Sequence, residues 1–136
     1  MKPSRDVYLI GAHHTPFIGK FHPDFIWKKH PDFGVKQNPS LQELLATASL
    51  GALEDANLSP ADVQKGFVGN FVGELFCNQG HLGSVLASAH PDFMGKPFSR
   101  VEGACASGAL ALVNGIDAIS AGYGQRQDRR RLPSPR

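Results

Sequence analysis

Cysteine, tryptophan and methionine are scarce in this 136-residue chain, with two, one and two copies, and charged residues make up only 19% of it. Cys77 and Cys105 stand far apart, with no zinc-ligand pair beside either, which excludes a disulfide scaffold and a small zinc module and fits a reducing compartment. Long hydrophobic runs are also missing. Behind Lys2 and Arg5 the apolar run covers only Val7 to Ala12, too short for a signal-peptide core and far too short for a membrane span. The expectation is a cytoplasmic chain without a membrane segment. The apolar fraction of 41% argues against general disorder, and the length suits one globular domain with a working core.

What charge there is lies unevenly. The last twelve residues hold five Arg (Arg126, Arg129, Arg130, Arg131, Arg136) and one acid, Asp128, for a net +4, whereas residues 1–124 hold nine bases and eleven acids, net −2. A mildly acidic body with a short basic tail is not a nucleic-acid-binding body, because that would carry its basic face on the folded part. Four net charges on a tail support only weak, salt-sensitive contact.

Val7-Tyr8-Leu9-Ile10, stopped by Gly11, reads as a buried strand. The tetrapeptide His-Pro-Asp-Phe occurs at 22–25, 30–33 and 90–93, where Pro fixes φ and Asp can bond nearby backbone, so a recurring turn accounts for it. His22 and His30 lie eight residues apart in a loop, a spacing that fixes no metal, and no metal site is expected. Ser40 and Glu43 form a capping-box pair ahead of Leu41, Leu44, Leu45, Ala48, Ala52 and Ala56, which share one helical face. Asn57 suits a left-handed stop, and Ser59-Pro60 a second, one-turn helix start. Gly66 to Val72 predicts a strand, Gln79 to Ala89 a short helix, and Pro97 to Glu102 a third strand, a β-α-β-α-β order that implies parallel strands with helical crossovers.

From Ala104 to Ala121 the only strongly polar side chains are Ser107, Asn114, Asp117 and Ser120. A helix apolar nearly all round belongs inside a layered protein, and a lone domain of this size has little with which to cover it. Cys105 sits in its first turn, after a strand and a small-residue turn. Unpaired N–H groups and the helix dipole favour an anion there, and a thiolate is the nucleophilic form of cysteine. Gly103 and Gly108 leave the backbone open to an acyl group and its oxyanion. The alternative is that Cys105 is simply a small buried residue, as free cysteines commonly are. Cys77, in a Phe76-Cys77-Asn78 loop with no helix start beneath it, takes that second reading.

The segment Val101-Glu102-Gly103-Ala104-Cys105-Ala106-Ser107-Gly108-Ala109-Leu110-Ala111-Leu112 resembles the acyl-enzyme segment of thiolases, in which a nucleophilic Cys is followed by x-Ser-Gly and an Ala-rich helix. Upstream, Val7 to Phe17 is similar to the first thiolase strand with its Thr-Pro-Phe loop, and Leu53-Glu54-Asp55-Ala56 to the end of the first helix. Gly69-Asn70 and Gln79-Gly80-His81-Leu82 resemble the second strand and the dimer-contact segment after it. The wording is nearest to acetyl-CoA acetyltransferases similar to sterol-carrier-type thiolases, over residues 6 to 123.

The resemblance implies an α/β, thiolase-like fold: the N-terminal β-α-β-α-β-α portion of an αβαβα layering, with the Cys105 helix sandwiched between two halves. It implies acyl transfer from a CoA thioester to Cys105, then Claisen condensation or, in reverse, thiolysis of a 3-oxoacyl-CoA. Coenzyme A thioester would be a substrate, with no tightly bound cofactor. Gln79 and His81 would belong to an interface loop, either between copies of this chain or with a thiolase subunit. Thiolase subunits are much longer, and their second half supplies the base that activates the cysteine, so a truncated chain inactive on its own is expected. Residues 1–123 would be a partial N-terminal domain and 124–136 a basic, disordered tail. Read one base later, with Arg as CGN, the codons for 124–131 become compatible with a Val- and Ile-containing strand, so a frameshift is expected at codon 124.

Overall fold

The computed structural model describes residues 5–123. The tail, its expected disorder and the frameshift lie outside the described residues. Six main elements follow one another: α1 (Leu41–Asp55), β1 (Gly66–Gly69), α2 (Gly73–Cys77), α3 (Leu82–Ala87), β2 (Phe98–Val101) and α4 (Ser107–Ser120). Three-residue 3-10 turns at Pro60–Asp62, Pro91–Phe93 and Ala104–Ala106 link them. β1 and β2 are parallel and in register from Gly66 opposite Phe98 to Gly69 opposite Val101. The α/β class and the parallel crossover stand as expected.

The capping box of α1 forms in full. Glu43 N–H donates to Ser40 Oγ at 3.2 Å, and the Glu43 carboxylate accepts from Ser40 N–H and Ser40 Oγ, both at 2.7 Å. Those bonds, the backbone one foremost, hold the Glu43 carboxyl below the usual carboxylate range. Asn57 takes a left-handed φ of 53°, and Ser59 caps its one-turn helix through Ala61 N–H and Asp62.

The three His-Pro-Asp-Phe turns share one geometry. In each, the Phe N–H donates to the His carbonyl at 3.0 Å, and the Asp N–H donates to His Nδ1 at 3.1–3.2 Å. The expected turn is present, but its cap is the imidazole and not the aspartate.

Other expectations are corrected. Val7–Ile10 forms no strand, and Tyr8, Leu9 and Ile10 are 75%, 81% and 65% exposed. The segment is held by its flank on α1, where Ala12 N–H donates to Asp55 and Gly11 has no room for a Cβ against Ala52, and no described strand offers it a ladder. The strand read as Gly66 to Val72 ends at Gly69, because the Asn70 side chain turns back to accept Gly73 N–H at 2.7 Å and starts α2. Cys77 therefore closes a short helix and is not in a loop, with Asn78 as the left-handed stop at φ 50°. The helix read as Gln79 to Ala89 is shorter, Leu82–Ala87.

The core is small. Val68, Leu82 and Leu86 cluster between the sheet, α1 and α3, with Phe93 buried nearby against the Phe98 ring at 5.3 Å. α4 is not buried on several sides as expected: Ser107 is its buried residue, while Leu112 and Val113 are 58% and 48% exposed. Its inner side rests on the sheet and nothing among the described residues covers the rest. No helix of the described residues is long and apolar enough to cross a membrane.

Candidate active site

β2 carries the chain to Val101, and two residues later the backbone bends into the turn that presents Cys105. The 104–121 helix is not continuous. Ala104 sits at φ +48°, a conformation that a residue with a Cβ rarely adopts, so a 3-10 turn over Ala104–Ala106 precedes the α-helix at Ser107.

Ser107 holds that bend. Its hydroxyl accepts Gly103 N–H at 3.0 Å and donates to the Ala104 carbonyl at 2.7 Å, bridging the turn internally, and it is 5% exposed. Ala106 N–H donates to the Gly103 carbonyl at 2.9 Å. A Cβ on Gly103 would lie 2.4 Å from Leu110 Cδ1, so glycine lets the helix side chain fold over the turn. A Cβ on Gly108 would meet nothing within 4 Å, so that side of the residue is open while Gly69 lies close to its nitrogen, and Gly103, expected to be equally approachable, is covered by Leu110.

Cys105 is exposed and its thiol is free, which sets aside the reading of a small buried residue. Cys77 is also free and exposed, which overturns the same reading for it. Strain at Ala104 beside a freely presented thiol is the combination found at nucleophiles held on tight turns. The sequence reading missed Ala104 and the bridging role of Ser107. The signal was the Gly103-to-Ser107 spacing, at which a serine hydroxyl reaches back over a single turn.

Among the described residues, no hydrogen bond joins a histidine to this thiol. His22, His30 and His90 cap their own turns, His14 approaches the Thr15 carbonyl, and His13 lies over Gly51 on α1. His81 precedes α3, where its N–H donates to the Gln79 side chain at 2.9 Å, so Gln79 and His81 do share one loop. Among the described residues, no three His, Cys, Asp or Glu side chains come together as a metal site.

Beside the inner side of α4 lies an open groove of about 590 Å³, with Val7, Phe67, Leu112, Ile116, Ile119 and Tyr123 in its lining. Lys65 Nζ stands at its edge, 5.0 Å from the Phe67 ring centre and 4.7 Å from that of Tyr123.

Comparison with known proteins supplies the family. The model of the thiolase N-terminal domain matches residues 29–126, a span that includes the Cys105 turn. An acetyl-CoA acetyltransferase of Methanothermobacter thermautotrophicus is 44% identical over 84 residues, 62% of this chain and 22% of that protein. One from Methanocaldococcus jannaschii is 36% identical over 83 residues, 61% of this chain and 21% of its own length. The match thus spans about a fifth of the length of these relatives. With a parallel β-α-β unit delivering an exposed cysteine to a strained turn at the head of an Ala-rich helix, and with the family model covering most of the chain, this protein belongs to the thiolase family.

Proposed function

We propose that Cys105 is the acyl-accepting nucleophile of a thiolase-type acyltransferase. The single observation that carries this is the exposed thiol on the Ala104–Ala106 turn, set in a strained backbone that Ser107 braces from beneath. A coenzyme A thioester is the substrate, not a resident cofactor. In the first half-reaction the Cys105 sulfur attacks the thioester carbonyl, forming a carbon–sulfur bond. The bond to the CoA sulfur breaks, CoA leaves as the thiol with the proton that Cys105 gave up, and the acyl group stays on Cys105. In the second, the acyl group passes to the α-carbon of another acyl-CoA, whose displaced proton returns to the Cys105 sulfur. Thiolysis of a 3-oxoacyl-CoA is the same sequence reversed.

In this reading the chain is one portion of an αβαβα layering, and the open side of α4 is where the second half of the layering packs. His22, His30 and His90 are engaged in capping their own turns, which supports a chain that takes up an acyl group but turns over slowly or not at all on its own. Incubation with acetyl-CoA should release free CoA in a burst approaching one equivalent per chain, absent in Cys105→Ala, with little continued turnover. A folded sample that releases no CoA overturns the proposal.

A second reading is a non-catalytic fragment that associates with itself or with a thiolase subunit. The exposed Leu112, Val113 and Ile119 on α4 favour association. Sedimentation of the purified chain and of the Cys105→Ala variant separates the two, since association without CoA release fits only the second.

A further inference from the structure

Resting on the assignment of Cys105 as nucleophile, we infer that Arg100 is a positioning residue for the Cys105 turn: its guanidinium draws the backbone around the end of β1 into one fixed shape, against which the turn is seated. Arg100 lies in β2, five residues before Cys105, and its side chain is only 17% exposed. Nε donates to the Asn70 carbonyl at 3.1 Å, Nη2 to the Phe71 carbonyl at 3.1 Å and Nη1 to the Gly80 carbonyl at 3.2 Å. One side chain thus ties together both ends of the 70–80 excursion. Glu74 at 3.6 Å and Glu102 at 3.5 Å balance its charge from more exposed positions.

The connection to Cys105 runs through backbone. Asn70 N–H donates to the Val101 carbonyl at 3.1 Å, so Asn70 is held from β2 at its nitrogen and from Arg100 at its oxygen. Its predecessor, Gly69, meets the start of α4, the residues directly after the nucleophile's turn: a Cβ there would fall 2.2 Å from the Ser107 carbonyl oxygen and 2.7 Å from Gly108 N. Ser107 in turn braces Gly103 and Ala104. The end of β1 is therefore the seat of the Cys105 turn, and Arg100 is the cation that fixes the seat. An arginine suits this because it directs N–H donors from three separate nitrogens in a planar fork, whereas lysine carries all its donors on one nitrogen.

The test uses the full chain as wild type, Arg100→Met and Arg100→Lys. Acetyl transfer from acetyl-CoA to Cys105 is timed by mass spectrometry, and alkylation of Cys105 by iodoacetamide is followed across pH with Cys77 as an internal comparison. Acetyl transfer in Arg100→Met is expected to fall about tenfold with helix content retained, because small displacements of a nucleophile are costly to transfer rates. The pH profile of Cys105 alkylation should be displaced in the same variant, and Arg100→Lys should recover part of both. Wild-type transfer and an unchanged profile in folded Arg100→Met overturn the inference. Should Arg100→Met not fold, Arg100→Lys carries the test, with a fall of about threefold expected and wild-type behaviour overturning it. Should the wild type take no acetyl group, it is the acyl-transfer reading that fails. Alkylation then still decides on Arg100, and profiles identical in all the proteins overturn it.

Discussion

Gly69→Ala places one methyl group where the structure has none to spare. The added Cβ would lie 2.2 Å from the Ser107 carbonyl oxygen, 2.5 Å from its carbon and 2.7 Å from Gly108 N, all main-chain atoms with no rotamer into which to retreat. Relief therefore requires β1 and α4 to part by about an ångström, since ordinary contacts begin near 3.4 Å. Parting them pulls against the Asn70 bond to Val101 and the Arg100 bond to Asn70. Overpacking at a site that cannot yield costs about 1–3 kcal/mol, and the upper half of that range applies here because both sides are backbone. Gly115→Ala is the matching control: its Cβ would meet nothing within 4 Å in the middle of α4, and replacing a mid-helix glycine gains about 0.5–1 kcal/mol. Urea unfolding followed by circular dichroism measures both. A loss of about 2 kcal/mol lowers the midpoint by about 1–2 M for Gly69→Ala, and Gly115→Ala should raise it. A Gly69→Ala midpoint equal to wild type, with Gly115→Ala behaving as expected, would refute the packing of the Cys105 turn on the end of β1.

Leu82→Ala should destabilise the chain by about 2–5 kcal/mol, because Leu82 is fully buried at the centre of the small core; urea unfolding with a smaller loss would mean that the core collapses around the gap. His90→Ala should cost about 1 kcal/mol by leaving Asp92 N–H without its cap, while His90→Asn, which keeps an acceptor, should cost less; thermal melts of the two variants compare them. Acid should weaken the start of α1. The Glu43 carboxyl is held below its ordinary value, so its contribution is complete above the ordinary carboxylate pKa of about 4.3 and is lost as pH falls through the lower folded value. Circular dichroism between neutral pH and pH about 2 should show that loss. Glu43→Gln should remove that part of the pH dependence, and a helix signal with the same acid limb in both proteins would contradict it.

The elements that local chemistry determines were legible in the residues. Ser40 with Glu43, Asn57, Ser59 with Pro60 and the three His-Pro-Asp-Phe turns each satisfy backbone groups within a few residues, so their patterns carry their structures. What depended on distant partners was not legible. Val7–Ile10 has the composition of a strand, but a strand exists only where another backbone completes its ladder. The apolar run after Cys105 has the composition of an enclosed helix, but enclosure depends on what lies against it. Cys105 itself was found from its small-residue surroundings and the thiolase resemblance. The Ala104 bend, the Ser107 bridge and the Arg100 clamp were not, because a positive φ on alanine and an arginine bound to three carbonyls leave no mark in composition or spacing.

The central claim is that Cys105, and not Cys77, which is also exposed, accepts the acyl group. Peptide mass spectrometry of the full chain after exposure to acetyl-CoA tests it most directly, with Cys77→Ala and Cys105→Ala run in parallel. The account predicts one acetyl group on the Cys105 peptide, kept in Cys77→Ala and absent in Cys105→Ala; an acetyl group on Cys77, or none on either cysteine of a folded sample, would contradict it.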